Sequence, residues 1–114
     1  MPYDFEITSI EGVTQYTDVK STWYKFEQSI IFSWQEFKFI NQTPNFLIHR
    51  VFNIHELPKL KVCNNINVLS KELLSNMYNF DTNIKKSWLK LNSIKIEVAP
   101  GLSLLNFENE VILA

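Results

Sequence analysis

The stretch from Ser21 to Ile40 reads STWYKFEQSIIFSWQEFKFI, and its assignment decides the fold. Read as a strand, it places Tyr24, Phe26, Ile30, Phe32 and Trp34 on one face at period two, with Lys25, Glu27, Ser29 and Ser33 on the other. After Gln35-Glu36 the apolar parity flips to Phe37 and Phe39, as a β-bulge or tight turn with one extra residue would make it do. Read as a helix, Val19, Trp23, Phe26, Ile30, Trp34 and Phe37 recur every three or four residues behind Asp18 as N-cap. The helix leaves Tyr24, Ile31, Phe32 and Phe39 off its apolar stripe. The density of aromatic and β-branched residues favours sheet, so the expectation is a strand interrupted once.

Towards the N-terminus, Tyr3, Phe5 and Ile7 alternate with Asp4, Glu6 and Thr8, which reads as a half-exposed strand ended by Glu11-Gly12. Towards the C-terminus, Asn41-Gln42-Thr43-Pro44-Asn45 is the clearest turn in the chain. Phe46 to Ile54 follows as a largely buried strand. Pro58 bars a central strand position, so Leu60 and Val62 are expected on a short edge strand. The spacing of Ile66, Leu69, Leu73, Met77 and Phe80 predicts a helix over about 66–80, capped by Asn65 or Asn67. A second helix over about 82–91 would turn Ile84, Trp88 and Leu91 inward and set Lys86 and Lys90 near its C-terminal end. Ile94, Ile96 and Val98 alternate again, Pro100-Gly101 turns, and Leu102 to Phe107 with Val111 to Leu113 reads as a terminal hairpin. Together these segments predict one α+β domain over 1–114, an antiparallel sheet of hairpins and meander with one or two helices packed on one face.

The composition fits a globular domain of this length, since 46% of residues are hydrophobic and 20% charged. There are only 2 glycines, and Arg50 is the sole arginine, a bias that an AT-rich coding sequence explains without invoking function. The net charge of −1 gives no basic face for general nucleic-acid binding. Cys63 is the lone cysteine, so an internal disulfide is impossible and a reducing compartment is the simplest assignment. Met1-Pro2-Tyr3-Asp4 lacks the basic and apolar regions of a signal peptide, and no apolar run approaches the roughly 18 residues of a membrane span. A cytoplasmic protein without membrane association is expected.

Phosphate-binding loops need clustered glycines, and Gly12 and Gly101 stand apart. A structural zinc site needs four Cys or His ligands in short paired spacings, while this chain offers His49, His55 and Cys63. On an unbroken strand the two histidines would share a face about 20 Å apart, too far for one metal. Val62 beside Cys63 marks a buried small hydrophobe rather than a nucleophile. His55-Glu56 offers an acid–base pair for a small hydrolase, but neighbours on a strand point to opposite faces. The expectation is therefore no enzyme activity, no cofactor and no metal.

Three tryptophans, nine phenylalanines and four tyrosines supply either a core of large rings or a ligand-lining cavity. Trp23 and Tyr24 are adjacent, so a strand there exposes one of them, which makes the pair the best aromatic candidate for a contact surface. Asp4, Glu6, Glu11 and Asp18 give the first eighteen residues an acidic character suited to a basic partner. The reading is a small intracellular protein-binding module of the inhibitor, immunity-protein or antitoxin kind, using Asp4, Glu6, Glu11, Asp18, Trp23 and Tyr24. The alternative is a cup enclosing a small apolar ligand, and the least favoured reading is a small hydrolase using His49 or His55.

Overall fold

A computed structural model of the chain describes residues 3–77 and 95–113. Seven strands and two helices follow in the order β1 (Phe5–Thr8), β2 (Thr14–Ser21), β3 (Ile30–Ser33), α1 (Trp34–Asn41), β4 (Phe46–Phe52), β5 (Lys59–Cys63), α2 (Ile66–Asn76), β6 (Lys95–Val98) and β7 (Val111–Ile112) among the described residues. The fold is α+β, as the sequence predicts. The expected helix over 82–91, and the last turn of the helix expected over 66–80, lie outside the described residues.

The Ser21–Ile40 stretch is neither one strand nor one helix. Its strand is confined to Ile30–Ser33, and α1 begins at Trp34. The parity flip read as a bulge is a change of period from two to 3.6. Ser33 and Glu36 make the change by a capping box: the Ser33 hydroxyl accepts the Glu36 N–H at 3.1 Å, and a Glu36 carboxylate oxygen accepts the Ser33 N–H at 2.8 Å. Trp34, Phe37 and Ile40 then form the buried stripe of α1.

That helix also changes the sheet. The order is β1-β2-β4-β5-β7, antiparallel at every pairing but one: β2 and β4 run parallel, with Tyr16 opposite Phe46 and Lys20 opposite Arg50. Parallel neighbours need a crossover long enough to return the chain to the starting edge, and β3 with α1 supplies it. β2 itself was not legible as a strand. The two-residue β7 pairs with β5, so β5 is an inner strand and not the expected edge. The expected terminal hairpin does not form. Leu102 to Leu105 turns back on itself, Phe107 makes a single bridge to Cys63, and Leu113 donates its N–H to Pro58 O at 2.8 Å.

A second, two-stranded sheet joins β3 to β6, with Ile30 opposite Val98 and Phe32 opposite Ile96. It lies with α1 and α2 over one face of the large sheet, where Phe32, Phe37, Phe46, Ile48, Cys63 and Ile66 form the centre of the core. Tyr3, Tyr16 and Phe39 extend this core through ring contacts of 4.8 to 5.4 Å.

Neither asparagine proposed as a cap for α2 caps it through its side chain. Asn65 sits at the N-cap without a capping hydrogen bond, and its amide instead holds the Leu104–Asn106 segment. Asn67 donates to the carbonyls of Ile40 and Thr43, satisfying the C-terminal end of α1.

Candidate functional site

Between β2 and β3 the chain runs through an irregular loop over residues 22–29. Four contacts fix it. Thr22 donates its N–H to Val51 O at 2.9 Å, and Asn53 donates to Tyr24 O at 2.8 Å. His55 Nδ1 hydrogen-bonds to Trp23 O, and Arg50 reaches from β4 to donate to Gln28 O and, at 3.4 Å, to Lys20 O. Arg50 is 2% exposed, and burial lowers its pKa below the ordinary arginine value. Backbone carbonyls take up its two terminal nitrogens, while its buried Nε has no hydrogen-bond partner, and the cation braces the loop from inside. Asn53 turns the chain at φ 54°, a left-handed conformation that asparagine tolerates.

The braced loop presents Trp23 at 61% exposure and Tyr24 at 66%. The Trp23 ring lies 6.4 Å from the His55 ring, centre to centre. Beside the pair opens a cleft of about 470 Å³ floored by Phe26 and Phe52. Phe26 packs edge-to-face on Phe52 at 5.5 Å and on Phe107 at 4.9 Å. Lys61 Nζ stands 4.3 Å over the Phe26 ring, a cation–π contact, and Lys59 pairs with Glu110 at 3.1 Å. The cleft wall thus alternates lysine and glutamate around an aromatic floor.

The acidic residues lie elsewhere. Glu6 is exposed on β1, and Glu11 is exposed in the turn where Gly12 adopts φ 84°. Asp4 accepts the Val19 N–H at 2.6 Å. Asp18 is 7% exposed and faces Lys20 at 3.1 Å, while Lys20 also meets Glu36 at 2.7 Å. Burial, with a hydrogen bond shared with Glu36, pushes the Asp18 carboxyl up to about 7. Burial also raises Glu36, but the hydrogen bonds from Lys20 and Ser33 outweigh it and the net shift is downward. Asp18 therefore serves the joint between β2 and α1, while Asp4 is exposed and holds the Val19 backbone of β2. Trp23 and Tyr24 lie past the far end of β2 from Glu11, a separation of about 30 Å at strand rise. The six residues singled out in the sequence do not form one patch.

His49 and His55 do not meet either. His49 lies within β4, where burial lowers its pKa and Glu108 partly offsets the shift. His55 follows the strand in a turn, so the face alternation expected to separate it from Glu56 does not apply there. Its Nε2 lies 3.5 Å from Glu56 Oε1. Cys63 is fully buried, its thiol pKa raised by burial, and it donates to Asn65 Oδ1 at 3.2 Å. Among the described residues no group of three or more His, Cys, Asp or Glu side chains is placed to hold a metal ion, and no helix is long and apolar enough to cross a membrane.

Sequence reasoning singled out Trp23 and Tyr24, which the structure exposes, but did not foresee the brace or the cleft. The signal for the brace was the lone arginine within an otherwise apolar strand. Comparison with protein-family models, with curated proteins and with solved structures finds no match to this chain.

Proposed function

We propose that this chain is a non-catalytic protein-binding module of the inhibitor, immunity-protein or antitoxin kind, docking through Trp23, Tyr24 and the neighbouring cleft. The observation that carries the reading is the exposure of two adjacent large aromatics on a loop held by hydrogen bonds on both sides. Tryptophan and tyrosine dominate binding energy at protein interfaces, and a loop already fixed loses little entropy on docking. The mixed lysine and glutamate wall beside them supplies a polar rim. Glu6 and Glu11 give the opposite end an acidic character that would steer a basic partner.

Affinity capture from the source organism should recover a stoichiometric partner. The W23A/Y24A double variant should weaken that complex by about 30-fold or more while leaving the thermal midpoint unchanged. Absence of any stoichiometric partner, or unaltered affinity of the double variant, overturns the reading.

A second reading rests on a smaller cavity of about 280 Å³, lined among the described residues by Phe37, Leu69, Leu73, Ile96 and Leu102 among others. Its walls are almost wholly apolar, which suits a small hydrophobic ligand. Native mass spectrometry of protein purified from its own host should then show added mass; a clean apo mass rejects this reading.

A further inference from the structure

The register sets a row of cations across the inner side of the large sheet. Lys20 of β2 stands opposite Arg50 of β4, and Arg50 stands opposite Lys61 of β5. Like charges directly opposite on neighbouring strands destabilise a sheet, so each needs a counter-charge or something in its place. Lys20 has two carboxylates, Asp18 at 3.1 Å and Glu36 at 2.7 Å. Arg50, only 2% exposed, has the carbonyls of Lys20 and Gln28. Lys61 has the face of the Phe26 ring at 4.3 Å. Among the described residues no carboxylate pairs with Arg50 or with Lys61.

The row ends in the cleft beside Tyr24. The paired inner positions of β4 and β5 run from Ile48 with Cys63, in the core, to Arg50 with Lys61 and then Phe52 with Lys59. The last two pairs bring Lys61, Phe52 and Lys59 into the cleft lining. Its carboxylates are placed elsewhere. Glu110 is held by Lys59 at 3.1 Å, and Glu56 lies 3.5 Å from His55 with its side chain 70% exposed, where water screens it. Lys25 and Glu27, both on the loop, balance one another in formal charge. Lys61 is left as a half-buried cation on an aromatic floor, with no protein acceptor for its three N–H donors among the described residues.

We infer that the cleft seats an acidic side chain of the protein partner, its carboxylate on Lys61 and a flanking apolar residue against Phe26. The inference rests on the docking role proposed above and adds what the partner must present. Three features select this occupant. First, a carboxylate supplies the counter-charge that the end of the cation row lacks, in a partly desolvated site where such a pair gains most. Secondly, Tyr24 lines the cleft, so the exposed aromatic pair and the cleft form one continuous surface that a peptide segment can follow. A volume of about 470 Å³ admits the side chains of a short segment. Thirdly, Glu27, Glu56 and Glu110 on the walls would repel the many phosphates of a nucleic acid, whereas one carboxylate can pass between them to the floor. The charge required here is opposite to that favoured by Glu6 and Glu11, so a partner with a basic region and a separate acidic segment can dock in only one orientation.

The test is selection of a random-peptide display library on the whole chain, with the recovered peptides titrated against parent and variants by fluorescence anisotropy. The expected peptides carry aspartate or glutamate beside an apolar residue. Lys61→Gln should weaken them about 10-fold or more, and Lys61→Arg, which keeps the charge, should retain most of the affinity. Lys61→Gln also relieves the repulsion from Arg50, so its thermal midpoint should equal or exceed the parent's. A lysine kept only for its packing on Phe26 would give the opposite result, a midpoint lowered by several degrees, and that overturns the inference. So does a selection that recovers no peptide or only peptides without acidic residues, or an affinity that Lys61→Gln leaves unchanged. Capture from the source organism separates the two levels. A host partner lost on W23A/Y24A but indifferent to Lys61→Gln overturns the acidic seat and keeps the docking site. Acidic peptides bound through Lys61 with no host partner captured keep the seat and overturn the docking role.

Discussion

Lys20 Nζ lies 2.7 Å from Glu36 Oε2, joining β2 to the first turn of α1, while the other oxygen of the same carboxylate closes the Ser33 capping box. One glutamate thus fixes both the start of a helix and its attachment to the sheet. Asp18 completes the cluster from the buried side, and its titration sets the pH dependence of stability.

The sign follows from the shifts. Asp18 holds its proton up to about 7 in the folded chain, against 3.8 for a free aspartate. An acid with a raised folded pKa contributes fully below its unfolded value, and the contribution is lost as pH rises through the folded one. Glu36 has a lowered pKa and acts oppositely, its contribution being lost as pH falls through its folded value. Stability should therefore peak in mildly acidic solution, above the titration of Glu36, and decline towards pH 7 and just beyond. Thermal unfolding from pH 4 to pH 8 checks this. Asp18→Asn, which cannot ionise, should remove the decline and raise stability at pH 8 by about 1–2 kcal/mol.

Ser33→Ala removes the hydroxyl that accepts the Glu36 N–H. The cost should be about 1 kcal/mol in urea unfolding, the usual value of an N-cap. Ser33→Asp, which keeps an acceptor at the cap, should recover most of it. Equal loss in both variants would mean that packing, not capping, sets the helix start.

The sequence made some of this legible and hid the rest for identifiable reasons. β4 and α2 could be read because their core-facing apolar residues keep one period: Phe46, Ile48 and Phe52 at period two, and Ile66 with the partly buried Leu69 and Leu73 at helical spacing. β2 was illegible because its inward side carries Asp18 and Lys20, an ion pair that reads as surface when sheet and helix are unknown. The start of α1 was written in the sequence as Ser33-x-x-Glu36, but the aromatic density around it masked the signal. Without that helix there was no crossover, and the parallel pairing of β2 with β4 could not be inferred.

Arg50→Lys keeps the charge but lacks the planar fork that reaches both Lys20 O and Gln28 O. A carbonyl left buried without its donor should cost about 2 kcal/mol. The loop over residues 22–29 should loosen first, so trypsin should cleave after Lys25 several-fold faster than in the parent under native conditions. Stability loss without faster cleavage at Lys25 would mean that Arg50 supports the sheet and not the loop.

Asn65 makes three contacts that no other residue type could reproduce together. Its Nδ2 donates to Leu104 O at 2.9 Å, and its Oδ1 accepts the Asn106 N–H at 2.8 Å and the Cys63 thiol at 3.2 Å. These bonds dock the segment after β6 beside the buried end of β5, and with it Phe107, which walls the cleft against Phe26. Asn65→Asp keeps the acceptor and loses the donor, leaving a carboxylate facing Leu104 O. Asn65→Ala loses both but adds no charge. Each should destabilise the fold, by about 1–3 kcal/mol for the groups left unsatisfied, and Asn65→Asp should be the worse of the two above its own titration and recover as pH falls. Hydrogen exchange should show a larger loss of protection at Asn106 and Glu108 than at the Ile48 amide in β4 in both variants. Retained protection at Asn106 in the alanine variant would mean that Phe107 packing alone holds the segment.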